Sequence, residues 1–421
     1  MMRIIYNLLL IVFFPFWFLW MIQRAKKRNE SPNWKQRWGN YDIPSKTNNP
    51  RIWIHAVSVG EVSAAKPVLK EIKKRLPETE IILSCTTSTG FEMGKKLLGE
   101  TVNHLIYFPI DLPFVCKKAL ATIRPDIVII METELWMNFL WASKSFGAKT
   151  FVANGRLSDR SFQISKKVAF FYRALFKYVD EVLVQTQKDA QRFERIGAKN
   201  IHIMGNSKYD EALELSKPQD WKALMNISPE DLLIVVGSAR GEFEEDFILD
   251  ALSEIKSRIL FAPRHIERAT EIQKKATEKG FECSLKSKGN LSAQLVILDT
   301  YGELASTYHS ADVAIIGGGF DKLGGQNIIQ PLAAGKPVIC GPHMFNFREA
   351  FDEAKEVGAV IVASTPQELK LAVEQVLQDE DARLFPGEAA RNMVAKHRGA
   401  SARIAGKIIE AIEDIKLQQL A

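Results

Sequence analysis

Residues 126–136 read DIVIIMETELW, an apolar run that shows no polar alternation and ends at two glutamates, Glu132 and Glu134. Residues 232–241 read LLIVVGSARG and repeat this pattern in the second half of the chain, where the run ends in small residues. Continuous apolar runs of this length are typical of parallel strands that are buried on both faces of a sheet. Each run precedes a segment of helix length, which indicates βαβ units.

The same alternation continues along most of the chain. Short apolar runs are separated by helix-length spacers, so we predict an α/β fold with two doubly wound parallel sheets. We expect the two domains to be similar in size and to face each other across a cleft. The predicted strands are residues 52–57, 81–87, 105–110, 126–131, 150–153, 181–185, 201–204, 232–236, 258–262, 295–298, 313–316, 337–340 and 359–362.

The length of 421 residues exceeds what one hydrophobic core usually supports, which favours more than one domain. A polar helical stretch near residues 206–230 separates the two sets of predicted strands. We therefore predict a membrane anchor with a basic flank (1–30), an N-terminal domain (31–210), a linker (211–230), a C-terminal domain (231–394) and a C-terminal helix (395–421).

The excess of positive charge lies at the N terminus. The chain has 56 lysines and arginines against 50 aspartates and glutamates, which gives a net charge of +6. Residues 1–40 contain seven of the basic residues and only one acidic residue, Glu30, so the rest of the chain is neutral. Proteins that bind nucleic acid spread basic residues over a working face, and this distribution argues against nucleic acid as a partner.

Residues 4–22, IIYNLLLIVFFPFWFLWMI, carry no charge and as a helix would span roughly 28 Å, close to the thickness of the bilayer core. Trp17 and Trp20 suit the membrane interface, and the basic run 24–28 places the following chain in the cytoplasm by the positive-inside rule. We therefore predict an uncleaved membrane anchor and a cytosolic catalytic body. A cleaved signal peptide and a buried helix of the body are alternatives, and Pro15 leaves a tilted or partly inserted helix open.

The cysteines and histidines predict no metal site. The four cysteines are far apart in sequence, which fits reduced thiols in a cytosolic setting rather than a disulfide framework. The seven histidines show no paired ligand spacing. The acidic run 379–381 lies in a polar helical stretch that is typical of a solvated surface.

The segment 52–61, IWIHAVSVGE, predicts a strand that ends in a turn containing Ser58 and Gly60, followed by a helix that begins near Glu61. In a doubly wound sheet the carboxyl ends of the strands face the ligand crevice, so Glu61 would lie beside a substrate. A carboxylate there can act as a general base towards an acceptor hydroxyl. The alternative is that Glu61 only stabilises the positive end of the helix dipole.

Other strand ends in the first half also carry charged residues. Glu132 and Glu134 could bind a sugar or orient a catalytic group, or Thr133 and Glu134 could instead cap the next helix. Arg156 and Lys208 follow two later strands and supply positive charge for a phosphate or carboxylate ligand. The alternative for both cations is a solvated surface position.

Small and glycine-rich segments follow the strands of the second half. They are GSARG (237–241), APRH (262–265), DTYGEL (299–304), GGGF (317–320) and GGQNIIQP (324–331). Small residues at a helix N-terminus leave backbone N–H groups open to an anion, so these segments predict an edge that binds phosphate or ribose. The glycine spacing does not match the dinucleotide fingerprint G-x-G-x-x-G.

Taken together, these motifs resemble those of the 3-deoxy-D-manno-octulosonic acid (Kdo) transferases of lipopolysaccharide assembly. The resemblance extends from residue 37 to about residue 348, includes the N-terminal anchor and keeps the motifs in order. It rests on WIHAVSVGE (53–61), TTSTG (86–90), YFPID (107–111), METELW (131–136), NGRLS (154–158), GNSKYD (205–210), PRH (263–265), DTYGEL (299–304) and GGQNIIQP (324–331).

The resemblance implies a GT-B fold, in which two Rossmann-like domains face a cleft, and a metal-independent transfer of Kdo. It implies CMP-Kdo as the donor substrate, with no separate cofactor, and a lipid A precursor as the acceptor. It also implies a location at the cytoplasmic face of the inner membrane, with membrane lipids contacted through the N-terminal helix.

Individual residues acquire expected roles from the resemblance. Glu61 corresponds to the general base, and Glu132 and Lys208 fall in motifs linked to the sugar and its transition state. Candidate contacts to the sugar or acceptor are Ser58, Gly60, Glu134 and Arg156. The expected CMP-Kdo-binding positions are Ser238, Pro263, Arg264, Tyr301, Gly302, Glu303, Gly318, Gly319, Asn327, Ile328, Ile329 and Gln330.

The chain departs from the family pattern at Gln330, where the family usually has Glu, and at Gln326, where it usually has His. A Gln amide still accepts a hydrogen bond through its oxygen, so we expect altered donor contacts rather than lost activity. Two alternatives remain open. One is a GT-B transferase for another nucleotide sugar and another lipid, and the other is an inactive, membrane-tethered binder of a nucleotide sugar.

Overall fold

Two parallel sheets of seven strands each carry the fold, one in each half of the chain. The computed structural model describes residues 2–28, 33–215 and 219–420. The chain divides into two compact units, of which the first is Met1–Asp210 with His397–Ala421 and the second is Glu211–Lys396.

The first unit contains β1 to β7. Its strands are Arg51–His55 (β1), Glu80–Cys85 (β2), His104–Tyr107 (β3), Ile127–Met131 (β4), Lys149–Gly155 (β5), Glu181–Val184 (β6) and Ile201–Ile203 (β7). Its helices are Met2–Arg28 (α1), Trp34–Arg37 (α2), Val59–Arg75 (α3), Ser88–Leu98 (α4), Pro113–Ile123 (α5), Met137–Ser145 (α6), Asp159–Lys167 (α7), Ala169–Leu175 (α8), Gln187–Arg195 (α9), Ser207–Leu215 (α10, which runs on past the boundary) and Ala400–Leu420 (α19).

The first sheet has the strand order β3-β2-β1-β4-β5-β6-β7, and all neighbouring strands are parallel. The order reverses between β1 and β4, and such a reversal opens a crevice at the carboxyl ends of the two strands. Residues 52–54 of β1 and 127–131 of β4 have no exposed surface. Their continuous apolar sequence is therefore explained by burial on both faces of the sheet.

The second unit contains β8 to β14 in the order β10-β11-β9-β8-β12-β13-β14, with the reversal between β8 and β12. Its strands are Leu233–Ala239 (β8), Arg258–Pro263 (β9), Cys283–Leu285 (β10), Leu295–Ile297 (β11), Val313–Ile316 (β12), Val338–Cys340 (β13) and Val360–Val362 (β14). Its helices are Trp221–Leu224 (α11), Glu242–Leu252 (α12), Ala269–Glu278 (α13), Leu304–Thr307 (α14), Ile329–Ala333 (α15), Arg348–Glu356 (α16), Pro366–Gln378 (α17) and Glu380–His397 (α18).

Every strand predicted from the sequence is present, with ends that shift by a few residues. The sequence prediction missed β10, which has only the three residues Cys283–Leu285 and lies at the edge of the second sheet. A run of three residues is too short to show the period of a strand.

The C-terminal helix α19 packs on the first unit against α3. Ile404 and Ile408 of α19 are fully buried in the same core as Val62 and Leu69 of α3. The first unit is therefore completed by residues that lie almost 200 positions beyond its last strand in sequence, as in the bond from Arg403 Nε to the carbonyl of Met204 at 2.9 Å.

One side of α1 packs on the first unit. Tyr6 Oη donates a hydrogen bond to Asp111 Oδ2 at 2.7 Å, and Asn138 Nδ2 donates to Asn7 Oδ1 at 2.6 Å. Further along α1, aromatic side chains lie on aromatic side chains of residues 34–38. The polar residues inside the apolar run are thus paired with the protein body.

The predicted membrane-spanning anchor over residues 4–22 is not supported, because none of the helices in the described residues is both long and apolar enough to cross a membrane. The polar Tyr6 and Asn7, which interrupt the run, are bonded to the body instead. The side chains of Trp17, Trp20 and residues 24–28, on which the interface and orientation predictions rest, lie outside the described part of the chain.

Residues 211–230, predicted as a linker, contain the end of α10 and the short helix α11. Trp221 of α11 is fully buried, its Nε1 donates to Ser306 Oγ at 2.9 Å, and its backbone N–H donates to Ser310 Oγ at 2.9 Å. This part of the stretch is packed into the second unit. Residues 216–218 lie outside the described residues.

Candidate active site

Charged residues from four strand ends of the first unit meet at one edge of its sheet. Glu132 follows β4, Arg156 follows β5 and Lys208 lies in the first turn of α10. Glu132 Oε1 accepts a hydrogen bond from Lys208 Nζ at 2.9 Å, and Glu132 Oε2 accepts one from Arg156 Nε at 3.4 Å. Glu61, in the first turn of α3 after β1, completes the group through its electrostatic coupling to Glu132.

Glu61 is fixed by the turn that precedes α3. Its Oε2 accepts a hydrogen bond from the backbone N–H of Val57 at 2.8 Å, and its Oε1 accepts one from Ser58 Oγ at 3.1 Å. The pKa of Glu61 is raised to about 8, chiefly by burial and then by the charge of Glu132, while the Val57 hydrogen bond opposes the rise. A carboxyl group that titrates near neutral pH is suited to accept and release a proton.

Glu132 is shifted in the opposite direction. Burial opposes its ionisation, but the charges of Lys208 and Arg156 outweigh this and hold the pKa of Glu132 below its usual value. Burial and the charge of Glu132 raise the pKa of Glu134. When the pKa values of two neighbouring carboxyl groups are pushed apart, one group can exchange a proton while the other stays ionised.

The backbone around Lys208 is held by buried polar contacts. The N–H of Lys208 donates to Asn206 Oδ1 at 3.0 Å, the N–H of Ser207 donates to Asn154 Oδ1 at 3.0 Å, and Ser207 Oγ donates to the carbonyl of Ala64 at 2.7 Å. These bonds connect the ends of β5 and β7 to α3. The ammonium group of Lys208 is therefore positioned by the fold rather than by its flexible side chain alone.

The geometry decides several alternatives left by the sequence. The alternative that Arg156 and Lys208 are solvated surface charges is wrong, because both cations bond to Glu132. Capping of the next helix by Thr133 or Glu134 is also wrong, because α6 begins at Met137 and has no side-chain cap. Glu61 does lie in the first turn of its helix, so a favourable contact with the helix dipole coexists with the cluster.

Of the candidate sugar and acceptor contacts, Ser58 bonds to Glu61, Arg156 bonds to Glu132, and Glu134 couples to both carboxylates. Gly60 lies close as well, since a Cβ atom built on it would be 3.8 Å from Lys208 Nζ. The structure therefore brings all of the predicted residues of the first unit together.

His55, which the sequence prediction did not select, lies at the end of β1. Its ring stacks on Phe108 with 3.7 Å between centroids, and its Nδ1 is 3.0 Å from Ser84 Oγ. Burial lowers the pKa of His55 to about 3, so the ring is neutral. The sequence signal that could have selected His55 is its place as the one histidine in the otherwise apolar run 52–57.

In the second unit, the expected donor positions also gather at the carboxyl edge of the sheet. Ser238 has a left-handed backbone (φ 58°) where β8 bulges against β9. Ala239 pairs with Pro263, and the backbone N–H of Arg264 donates to the carbonyl of Ala239 at 2.8 Å. The Arg264 side chain itself is exposed.

Glu244 organises the glycine-rich loops of the second unit, a role that sequence analysis missed. Its Oε2 accepts from the backbone N–H groups of Arg240 at 2.7 Å and Gly318 at 2.6 Å, and its Oε1 accepts from that of Phe320 at 3.2 Å. Burial raises the pKa of Glu244, and these three hydrogen bonds oppose the rise. The N–H of Gly318 is therefore already used within the protein.

The two glycine motifs contact each other. The N–H of Gly325 donates to the carbonyl of Gly318 at 2.7 Å, and the N–H of Gln326 donates to that of Gly317 at 2.9 Å. The carbonyl of Gly319 accepts from the N–H of His343 at 3.0 Å. Segments that the sequence only placed in order are thus joined into one surface.

The segment 327–330 presents few side chains to a ligand. Asn327 Oδ1 accepts from the N–H of Ile329 at 2.9 Å, and both isoleucines are buried. Ile328 and Ile329 can therefore meet a ligand only through backbone groups. Gln330, the departure from the family pattern, is partly exposed.

The segment 301–303 is the most exposed part of the expected donor site. Tyr301 is 71% exposed and donates from Oη to Glu267 Oε1 at 3.3 Å, and Gly302 has φ 88°. Glu303 pairs with Lys286 Nζ at 2.7 Å. Lys286 is a further cation of this region that the motifs did not reveal. Among the described residues, no group of three or more His, Cys, Asp or Glu is arranged to hold a metal ion.

Comparisons with known structures show the fold. The chain is similar to MurG of Acinetobacter baumannii, with a TM-score of 0.57 and 12% identity over 86% of this chain and 99% of that one. It is also similar to UDP-GlcNAc 2-epimerase of Neisseria meningitidis, with a TM-score of 0.56 and 13% identity over 86% of this chain and all of that one. The predicted GT-B type of architecture, with two parallel-sheet α/β domains, is confirmed.

Sequence comparisons show the family. Residues 32–211 match the family described as 3-deoxy-D-manno-octulosonic-acid transferase, and residues 221–393 match glycosyl transferases group 1. The 3-deoxy-D-manno-octulosonic acid transferase of Bordetella pertussis is 31% identical over 98% of this chain and 99% of its own length. That of Haemophilus influenzae is 31% identical over 89% of this chain and 91% of its own length. The chain is therefore a glycosyltransferase that belongs to the 3-deoxy-D-manno-octulosonic acid transferase family.

Proposed function

We propose that the enzyme transfers Kdo from CMP-Kdo to a lipid A precursor, without a metal ion and with Glu61 as the general base. The observation that carries the proposal is the pairing of Glu132 with Lys208 and Arg156 beside the buried Glu61, which holds the pKa of Glu132 low while that of Glu61 is raised to about 8. The acceptor hydroxyl gives its proton to Glu61 as its oxygen attacks the anomeric carbon of Kdo. The bond from that carbon to the phosphate oxygen breaks, and CMP leaves with the electron pair.

Glu132 and Lys208 act on the transferred sugar in this proposal. Lys208 offers a positive charge to the carboxylate of Kdo, and ionised Glu132 stabilises positive charge that develops at the anomeric carbon. Arg156 keeps Glu132 ionised from its other side. Ser58 and Gly60 shape the turn that holds Glu61, and Glu134 is a candidate contact to the acceptor sugar.

The second unit binds the CMP part of the donor in this proposal. The exposed Arg264 side chain offers its guanidinium to the phosphate, a pairing that suits its planar fork of donors. Backbone groups of Ser238 and of the loop at Gly319 line the same edge. Tyr301, Gly302, Glu303 and the segment 327–330 surround the nucleotide, with Gln330 as the hydrogen-bond partner of the ribose.

A location at the cytoplasmic face of the inner membrane is part of the same proposal. It is supported by a row of apolar side chains on α1 that are more than half exposed: Ile4, Leu8, Leu9, Ile11, Val12, Phe13, Phe16 and Leu19. Exposed apolar side chains of this density on one helix favour contact with a lipid surface. Binding there would concentrate the enzyme where a lipid acceptor is confined.

One reconstituted reaction tests the proposal. The purified protein is incubated with CMP-Kdo and a lipid A precursor, in the presence of a metal chelator, and the lipid product is identified by mass spectrometry. The expected result is a mass gain of Kdo with stoichiometric release of CMP. No product, or inhibition by UDP but not by CMP, would instead favour a transferase for another nucleotide sugar or an inactive binder.

A further inference from the structure

An apolar cavity of about 280 Å³ lies between α1 and the carboxyl edge of the first sheet. Leu10, Phe13 and Phe14 of α1 form one wall, and residues 108–112 after β3 form another. Thr86, which follows β2, and Trp136, which precedes α6, complete it. The expected roles of the Kdo transferase motifs do not use this cavity.

The charged residues in the wall of the cavity are already satisfied. The Asp111 carboxylate accepts from Tyr6 Oη and from the N–H groups of Asn138 and Phe139, at 2.7 to 3.2 Å. Arg37 Nη2 donates to the carbonyl of Thr86 at 2.7 Å. The cavity therefore offers no open charge, and an ionic group is a poor occupant.

Two of the residues that line the cavity each have a buried polar atom with no hydrogen-bond partner among the described residues. Trp136 Nε1 and Thr86 Oγ1 are both buried and make no hydrogen bond. Buried donors of this kind are rare unless a ligand or water completes them. The matching occupant is an apolar chain that carries an oxygen acceptor.

Two residues of the cavity wall are near neighbours in sequence of residues that interact with the catalytic carboxylates. Trp136 lies two residues after Glu134, which couples to Glu61 and Glu132. Thr86 directly precedes Thr87, whose Oγ1 donates to the carbonyl of Val57 at 2.9 Å, and the N–H of Val57 donates to Glu61 Oε2 at 2.8 Å. These links connect the wall of the cavity to the turn that holds Glu61, where the hydroxyl of the acceptor is expected.

We propose that this cavity binds one acyl chain of the acceptor lipid, with the carbonyl or hydroxyl oxygen of that chain placed at Trp136 Nε1 and Thr86 Oγ1. The inference rests on the proposed function, since it assumes a lipid acceptor at Glu61. It adds a binding site for the lipid part of the acceptor and makes α1 a wall of that site.

The first test compares acceptors with the wild-type protein. Transfer from CMP-Kdo is measured in mixed detergent micelles with an acylated lipid A precursor and with the same disaccharide after removal of its acyl chains. The expected result is a kcat/KM at least about 10-fold higher for the acylated acceptor, as for a well-fitted apolar group in a pocket. Equal kcat/KM values would overturn the cavity assignment and leave the proposed function intact.

The second test fills the cavity. Leu10→Trp should lower kcat/KM for the acylated acceptor about 10-fold and leave that for the deacylated acceptor within about 2-fold. Leu417→Trp places the same substitution at an exposed position of α19 and should match the wild type on both acceptors. Equal losses on both acceptors in Leu10→Trp, or losses in Leu417→Trp of the same size, would overturn the proposal.

The third test removes one polar contact and adds a competing occupant. Trp136→Phe keeps a smaller aromatic ring and removes the N–H, and it should raise KM for the acylated acceptor about 3- to 10-fold, with no change for the deacylated one. Phospholipid added to the micelles should not compete beyond its dilution of the acceptor. Competitive inhibition by phospholipid would assign the cavity to bulk membrane lipid and overturn the proposal. Absence of Kdo transfer to either acceptor would reject the proposed function together with this inference.

Discussion

The carboxyl edges of the two sheets share one topological feature and differ in what fills it. In both sheets the strand order reverses beside the first strand of the unit, at β1–β4 and at β8–β12. The first edge carries charged side chains that shift one another's pKa values, and Glu132 lies there between Lys208 and Arg156. At the second edge one buried carboxylate, Glu244, fixes backbone loops, and Arg264 remains exposed.

This difference indicates that the two edges have different roles. At the first edge, neighbouring charges shift the pKa values of the carboxyl groups. Such shifts adjust how readily a group takes up or releases a proton, so this edge is suited to the chemical step. Loops fixed through their backbone, beside an exposed cation, form a shape into which a nucleotide can bind. Substitutions at the first edge should therefore change kcat, and substitutions at the second edge should change stability or the KM of the donor.

The largest expected effect is that of Glu61→Gln. The amide keeps the size of the side chain but cannot accept a proton, so kcat should fall by about 10²- to 10⁴-fold, with the KM for CMP-Kdo nearly unchanged. Steady-state kinetics with quantified lipid product measure both constants. Glu71→Gln, on the same helix but part of a surface ion pair, serves as the control. A near-normal rate in Glu61→Gln would remove the general base from this edge.

Glu244→Ala should have the next largest effect, on stability. It leaves three backbone N–H groups without an acceptor, two of them buried, and we expect a loss of about 2–4 kcal/mol together with a raised KM for the donor. Thermal unfolding monitored by circular dichroism measures the loss. Glu242→Ala, an exposed neighbour in the first turn of the same helix, should change the melting temperature little. Equal melting temperatures for the two variants would show that Glu244 does not hold the loops.

The pH dependence of the rate should follow Glu61. Its pKa of about 8 means that the ionised, proton-accepting form is the minor one at pH 7, so kcat/KM should rise about tenfold per pH unit up to about pH 8 and then level off. Glu132→Gln removes a negative charge that raises this pKa, so the rising limb should move to lower pH. If the rising limb of the pH profile does not move in Glu132→Gln, then the charge of Glu132 does not raise the pKa of Glu61.

Arg264→Ala should weaken donor binding without altering the chemical step. Loss of one charge-assisted contact to phosphate predicts an increase of about 10-fold in the KM for CMP-Kdo and little change in kcat. Arg398→Ala, an exposed arginine of the first unit, provides the control. A fall in kcat alone would instead connect Arg264 with the transition state.

Gln330→Glu should have the smallest effect, and in the favourable direction. It restores the carboxylate that the family pattern usually has before Pro331, and a charged acceptor strengthens a hydrogen bond to a ribose hydroxyl. The KM for CMP-Kdo should fall by about 2- to 5-fold. Isothermal titration with CMP gives an independent value. An unchanged affinity would place Gln330 away from the ribose.

The sequence predicted the strands and most of the site because both depend on local patterns. Runs such as 127–131 indicate buried strands, because apolar and polar residues do not alternate in them. Motifs that follow the strand ends place Glu61 and Glu132 at one edge of the sheet. It failed where a role depends on distant partners. Glu244 looked like one of several acidic residues in a helix, although its bonds to Gly318 and Phe320 span more than 70 residues.

The N-terminal run shows the same limit. Its composition favoured a membrane span, because sequence alone cannot show that Tyr6 and Asn7 find partners on the body. Many apolar side chains of α1 remain exposed, and three of them, Leu10, Phe13 and Phe14, line a cavity that no motif predicts.

By itself the sequence determined the two parallel sheets, the order of the motifs and the family, because hydrophobic periodicity and short motifs are local properties of the chain. Only the tertiary structure decided that Lys208 and Arg156 bracket Glu132, that Glu61 is buried beside them, and that α19 completes the first unit. These features set the pKa values and the shape of the site. They depend on distance and burial, which exist only once residues far apart in the chain have packed together.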